Sequence, residues 1–213
     1  MSKLIIVDLD KTLIKGDSIV ALSNVLMECE LIYQKFWDKI SILDSDNHHF
    51  SLIKKHELSN IFLSLEKNKQ DQILNLLLNR DEIKPIIETI LIIDSYRKDG
   101  FSILVSSASL DFLVLPILKK LSFNYEYLHC SSFINKSKGL SVFKPNNSGL
   151  NKLQSIKDHF VLFGKPEEII VFSDHFSDLP ILLLGNKSFL VKNRKYGFDD
   201  WSSFFNLELI LHS

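Results

Sequence analysis

Asp8 and Asp10 stand one residue apart, directly after the apolar run at residues 4–7. Two carboxylates at the end of a buried strand cost free energy unless a partner, a metal or a reaction uses them. In extended backbone the side chains at i and i+2 point the same way, so the pair could face one small site as a nucleophile and a proton shuttle. A turn or a helix cap uses the same residue type, and the pair alone does not choose between these readings. Three other places carry polar groups after apolar runs or at a helix start. Ser107 lies in Ser106-Ser107-Ala108-Ser109, Lys152 in Gly149-Leu150-Asn151-Lys152, and Asp174 and Asp178 in Ser173-Asp174-His175-Phe176-Ser177-Asp178. Taken singly, Ser107 reads as a loop residue, Lys152 as an exposed helix lysine, and Asp174 and Asp178 as helix caps. Taken together, four aspartates, a hydroxyl and a lysine suit phosphoryl transfer. Hard oxygen ligands fit Mg²⁺, which takes a few carboxylates plus waters and substrate oxygens. A metal and a lysine neutralise charge on the transferring group.

Those residues need a scaffold. Strand patterns fall at 4–7, 101–106, 125–130, 169–172 and 188–191, several as continuous apolar runs of the kind covered on both faces of a parallel sheet. Helix patterns alternate with them, which points to an α/β fold with a mainly parallel, Rossmann-like sheet flanked by helices. Asp99-Gly100 punctuates the step from helix to strand. Residues 16–80 give no strand signal. Leu22, Val25, Leu26, Cys29, Ile32, Tyr33 and Phe36 repeat at helical spacing, as do Leu58, Ile61, Phe62 and Leu65, and then Ile73, Leu76 and Leu77. A parallel crossover needs only a dozen or more residues, so the surplus is expected to form a separate all-helical cap. The expected division is a core of 1–15 and 81–213 with a cap of 16–80. A helix over 81–98, with Pro85 in its first turn, returns the chain to the sheet. Residues 137–143 read as a turn and a short extended piece, and 148–160 as a helix. The tail from 193 on gives no clear pattern, though Trp201, Phe204 and Phe205 suit packing against the sheet.

The formal net charge of -1 gives no basic footprint for nucleic acid, and Lys119-Lys120 and the basic run at 192–195 read as solvated faces. Cys29 and Cys130 are far apart and read as free thiols of a reducing compartment. The N-terminal apolar run is a strand and not a signal peptide. No apolar stretch approaches the ~18 residues that span a bilayer, so a cytoplasmic protein without membrane or nucleic-acid partners is expected. His48, His49 and His56 lack the carboxylate or cysteine spacing of a metal site and read as a wet helix face.

In motif order, in spacing and in the helical insertion between the first two motifs, nearly the whole chain resembles the haloacid dehalogenase-like superfamily. It is most similar to its phosphoserine-phosphatase-like branch. Asp8-Leu9-Asp10-Lys11-Thr12-Leu13 with Asp174 and Asp178 carries the likeness, supported by Ser107 and Lys152. The resemblance implies that Asp8 attacks phosphorus and forms an aspartyl-phosphate, as carboxylate nucleophiles do. Asp10 would protonate the leaving alcohol and later take a proton from water. Asp8, Asp174 and the Asp10 carbonyl would hold Mg²⁺, with Asp178 supporting that shell. Ser107 would bind a phosphoryl oxygen and Lys152 would offset negative charge. Asp17, at the start of the insertion, corresponds to a position where related phosphatases contact substrate; it also suits the N-cap of a helix starting near Ser18. Lys11 and Ser173 stand where glycine is common in the family, and His175 where a small residue is commoner; for His175 a surface or structural role competes with a catalytic one.

The implied activity is Mg²⁺-dependent hydrolysis of a small phosphorylated metabolite, with the cap closing over the site. The cap lysines Lys54 and Lys55 fall in no fixed register with the basic residues of phosphoserine phosphatases, so phosphoserine is not assigned, and the sequence sets no oligomeric state. Three alternatives stay open. A phosphotransferase or mutase would pass the phosphoryl group to another alcohol. A dehalogenase would not require the acid at Asp10. A phospho-accepting module without turnover would not need the helical insertion.

Overall fold

The computed structural model describes residues 2–33, 48–136, 140–144, 146–193 and 207–212, without the side chains of 48–53, 133–136, 140–144 and 193. Its centre is a seven-stranded sheet in the order β4-β3-β2-β1-β5-β6-β7. The strands are β1 (Lys3–Val7), β2 (Ser102–Leu110), β3 (Tyr127–Lys136), β4 (Leu140–Lys144), β5 (Glu168–Ser173), β6 (Lys187–Asn193) and β7 (Glu208–His212). Every neighbouring pair is parallel except β3 and β4. The apolar residues alternate across this sheet with a period of two. Ile5, Val7, Ile103, Val105, Ile170 and Phe172 join one buried layer, and Leu4, Ile6, Leu104, Ile169 and Val171 join the other. Helices on both faces bury these strands, which is why they read as unbroken apolar runs. Each fully buried Ile or Leu contributes about 1.5–3 kcal/mol relative to exposure.

Helices α1 (Ser18–Glu28), α2 (His48–Ser64) and α3 (Lys67–Leu78) lie between β1 and β2 in the chain. Leu22, Val25 and Leu26 of α1, Leu58 and Phe62 of α2, and Ile73 and Leu77 of α3 enter the same buried cluster as Ile5 and Val7. The insertion is therefore packed onto the sheet's own core, and Phe62 stacks on Phe112 of α5 (Asp111–Lys120) with ring centroids 4.8 Å apart. The two connections that carry the insertion run beside each other. Gly16 N–H donates to the Glu82 carbonyl (2.8 Å), Lys15 N–H to Lys84 (2.9 Å) and Ile86 N–H to Leu13 (2.8 Å). A Cβ on Gly16 would sit 2.9 Å from the Glu82 Cα, so only glycine allows this approach.

Several expected boundaries moved, each for a local reason. The first helix ends at Glu28 because Glu30 takes a left-handed backbone (φ 58); Ile32 is still buried, but Tyr33 is exposed. Leu76 also faces solvent. Pro85 does not sit in a helix: Lys84 before it is extended (ψ 143), as the residue before proline prefers, and Ile14 bridges to Pro85. A short 3-10 turn at Asp81–Ile83 therefore precedes α4 (Ile87–Lys98). The extended piece near 140 is β4, an antiparallel edge, and the unreadable tail contains β7. The helix expected at 148–160 is α6 (Leu150–Phe163), and α7 (Leu179–Leu182) follows β5. Phe36, Ser137, Trp201, Phe204, Phe205, the end of the basic run at 194–195 and the side chains of His48, His49 and Phe143 lie outside the described residues.

Candidate active site

The site lies beyond the C-terminal ends of β1, β2 and β5, the rim where open parallel sheets bind ligands. β1 stops at Val7, and Asp8 N–H donates to the Phe172 carbonyl (3.0 Å), which seats Asp8 beside the start of the Ser173–Asp178 segment. The chain then bends, with the Leu13 and Ile14 amides donating back to Leu9. Lys11 takes φ 54 in that bend, a left-handed backbone that favours glycine and costs other residues about 1–2 kcal/mol. Asp8 and Asp10 thus stand between the end of β1 and this turn.

Lys152, in the first turn of α6, crosses to the end of β1. Its Nζ donates to Asp8 Oδ1 (2.9 Å) and to Asp178 Oδ2 (2.6 Å), with the three side chains 4%, 12% and 7% exposed. Ser173 Oγ also donates to Asp178 Oδ2 (2.8 Å). Burial acts to lower the Lys152 pKa, but the Asp178 and Asp8 carboxylates outweigh it and raise it. The lysine is therefore a fixed cation. Asp178 occupies the N-cap position of α7 without making a cap bond; its carboxylate serves Lys152 and Ser173 instead.

Asp10 is held at both oxygens. Oδ1 accepts the Ser18 N–H (2.8 Å), and Oδ2 accepts the Ser109 hydroxyl. Burial, followed by the charges of Asp17 and Asp8, raises its pKa to about 7, where a carboxyl can both give and take a proton near neutrality. Burial raises Asp8 too, against the pull of Lys152. Asp174 is raised to about 7 by burial and then by the Asp8 charge. Each acid resists ionising chiefly because it is buried, and the neighbouring carboxylates add to that cost, so the cluster is short of cationic charge.

That deficit is what a divalent cation would relieve. Among the described residues no three His, Cys, Asp or Glu side chains converge to hold a metal. Mg²⁺ does not ask for such a cage; one or two carboxylates with waters and substrate oxygens suffice. Asp8 and Asp174 are of the right type and charge.

Ser107 is fully buried, and its Oγ accepts the Ser109 N–H (3.0 Å). Asn147, which sequence reasoning missed, supports that segment: its Nδ2 donates to the Ser107 and His129 carbonyls (both 3.0 Å), and its Oδ1 accepts from Ser155 Oγ (2.7 Å). Lys55 was named without a position. It is buried on α2, and Nζ donates to the Ala108 carbonyl (2.7 Å) and Asn146 Oδ1 (3.3 Å). Burial lowers its pKa, opposed by Asp10, Asp17 and Asp8, so the insertion delivers a cationic group to the acid cluster. Asn147 in a Pro-Asn-Asn-Ser-Gly stretch looks like an ordinary turn residue, and no spacing marks Lys55. Asp17 is the N-cap of α1, with Oδ1 accepting from Ile19 (2.9 Å) and Val20 (3.0 Å). His175 accepts the Ser177 N–H (3.1 Å), a local turn contact. His56 meets Asn60 (3.1 Å) on a partly exposed face.

Comparison with known proteins places this geometry. The sequence matches no curated protein. Among solved structures, a protein with unknown function from Bordetella pertussis Tohama I superposes with a TM-score of 0.81 at 12% identity, over 99% of this chain and 98% of that one. A phosphoserine phosphohydrolase-like protein from Francisella tularensis gives 0.57 at 21% identity, over 89% and 87%. Cytosolic 5'-nucleotidase IIIB bound to cytidine gives 0.62 at 16%, over 98% and 79%. These likenesses show a shared fold. The model of the haloacid dehalogenase-like hydrolases matches residues 5–183, and with most of its length inside that match the chain belongs to the haloacid dehalogenase-like hydrolase family.

Proposed function

We propose that the protein is a Mg²⁺-dependent phosphatase that hydrolyses a small-molecule phosphomonoester through an aspartyl-phosphate on Asp8. The observation that carries this reading is the buried bridge from Lys152 to Asp8 and Asp178 beside a separately clamped acid, Asp10. Asp8 and Asp174, with the Asp10 carbonyl, would hold Mg²⁺, and Asp178 would support them through its neighbours. When bound, the ion offsets charge on the phosphoryl group.

An oxygen of Asp8 attacks phosphorus while the bond to the leaving alcohol oxygen breaks. Asp10 gives that oxygen a proton. Ser107, which accepts from Ser109, keeps its own O–H to donate to a phosphoryl oxygen. Lys152 balances the charge of nucleophile and phosphate. In the second half Asp10 takes a proton from water, the water oxygen attacks phosphorus, and the Asp8–phosphorus bond breaks to release phosphate. We take residues 16–80 as the cap that covers the leaving group, with the core formed by 1–15 and 81–213. Among the described residues, Asp17 and Lys55 of this segment act electrostatically on the acids. Selection by such a cap fits a small phosphorylated metabolite. The unbridged cysteines, Cys29 and Cys130, support a reducing, cytoplasmic setting, and no helix of the described residues is long and apolar enough to cross a membrane.

The test is a panel of phosphomonoesters with Mg²⁺, run with and without acceptor alcohols. Multiple turnovers that release inorganic phosphate support hydrolysis. Product on the acceptor would move the reading to a transferase, and a single stoichiometric burst to a phospho-accepting module.

A further inference from the structure

The buried contacts of Asp10 come from two serines whose hydroxyls are given no step in the reaction above. Ser109 sits at the far end of β2 and donates its hydroxyl to Asp10 Oδ2. Ser18, the first residue of α1, gives its N–H to Oδ1 (2.8 Å), and its Oγ lies 2.7 Å from Ser109 Oγ. Ser18 is 0% and Ser109 2% exposed. Thr12, two residues from Asp10, does not share this work: its hydroxyl is buried without a hydrogen-bond partner among the described residues. A hydroxyl can donate or accept, whereas an N–H only donates. The serine pair on Oδ2 can therefore stay bonded whether Asp10 is ionised or protonated, while Oδ1 is fixed by the main chain.

We infer that Ser109, backed by Ser18, is the positioning residue of the general acid: the two hydroxyls lock the Asp10 carboxyl in the orientation that reaches the leaving oxygen. Ser18 begins the insertion and Ser109 belongs to the sheet, so the clamp closes only when α1 is seated on the core. This rests on the phosphatase reading, and its failure is separable from that of the reading.

A mispositioned acid penalises poor leaving groups and spares good ones. The experiment is kcat/KM for substituted phenyl phosphates, from p-nitrophenyl to phenyl, with Mg²⁺. In Ser109→Ala the phenyl ester should fall about 10–100-fold, part of the roughly 10²–10⁴-fold that a positioned acid contributes, and the p-nitrophenyl ester less than about threefold. Ser109→Thr, which keeps a hydroxyl, should recover most of the phenyl ester activity. Ser18→Ala, which keeps the main-chain donor, should show the same selectivity in weaker form, and it carries the test alone if Ser109→Ala does not fold. Equal losses on all esters, or none, overturn the inference. A wild-type protein that turns over no ester overturns the phosphatase reading with it.

Discussion

In the proposed reaction Asp8 carries the phosphoryl group, and its charge is held at a cost. Burial and Asp178 raise its pKa, and Lys152 holds it down. Asp8→Asn keeps the side chain's size and removes the nucleophile and one charge. Phosphate release should fall below detection, while the melting temperature should hold or rise, because the substitution relieves repulsion within the cluster. Full activity in this variant would remove Asp8 from its role. Lys152 behaves in the opposite way. Lys152→Ala leaves two buried carboxylates without their cation, a loss on the order of 3 kcal/mol, which for a domain of this size is about 6–12 °C in a thermal melt. The aspartates were legible because charges right after apolar strands are costly and so draw notice. Ser109, Asn147 and Lys55 were not, because their partners are main-chain carbonyls or a carboxylate brought close only by the fold. A lysine 53 residues from the carbonyl it meets leaves no periodic trace.

Elements explain why the acids meet at all. The paired connections at 13–16 and 82–86 fix where the helical insertion leaves and rejoins the sheet. Gly16→Ala must push Glu82 away, and overpacking of this kind costs about 1–3 kcal/mol. A melt should show the loss, and kcat/KM should fall with it, since α1 carries Ser18, whose N–H holds Asp10 and whose hydroxyl meets Ser109. A variant that melts lower yet retains wild-type kcat/KM would show that the connection and the acid are independent. The central strands were readable because two-sided burial writes apolar runs into the sequence. Their ends were not: β2 continues through Ser106 to Leu110, past a shift in its register with β3, because polar residues there are satisfied by hydrogen bonds inside the site. Pro85 was misread for a different reason. Its ring suits a helix start as well as an extended link, and what decided was the bridge to Ile14, a contact 71 residues away in sequence.

At the scale of the whole molecule, stability and function are set against each other through charge. Asp10 and Asp174 both titrate near about 7, raised from 3.8 chiefly by burial. The unfolded chain loses these protons near pH 4 while the folded one keeps them. The stability they contribute is therefore complete below about pH 4 and drains away as pH climbs through about 7. Without a divalent ion the melting temperature should fall between pH 5 and pH 8. Mg²⁺ needs the ionised carboxylates and competes with their protons, so it should raise the melting temperature more at pH 8 than at pH 5, by several °C once the ion is well above its dissociation constant. EDTA should reverse the shift, and turnover should stop and recover with it. A Mg²⁺ shift that is absent at pH 8, or as large at pH 5, would mean that the cluster is not where the ion binds. If the shift follows this course, the buried charges that weaken the fold at high pH are the ones the ion neutralises, and binding tightens as the acids lose their protons through about pH 7.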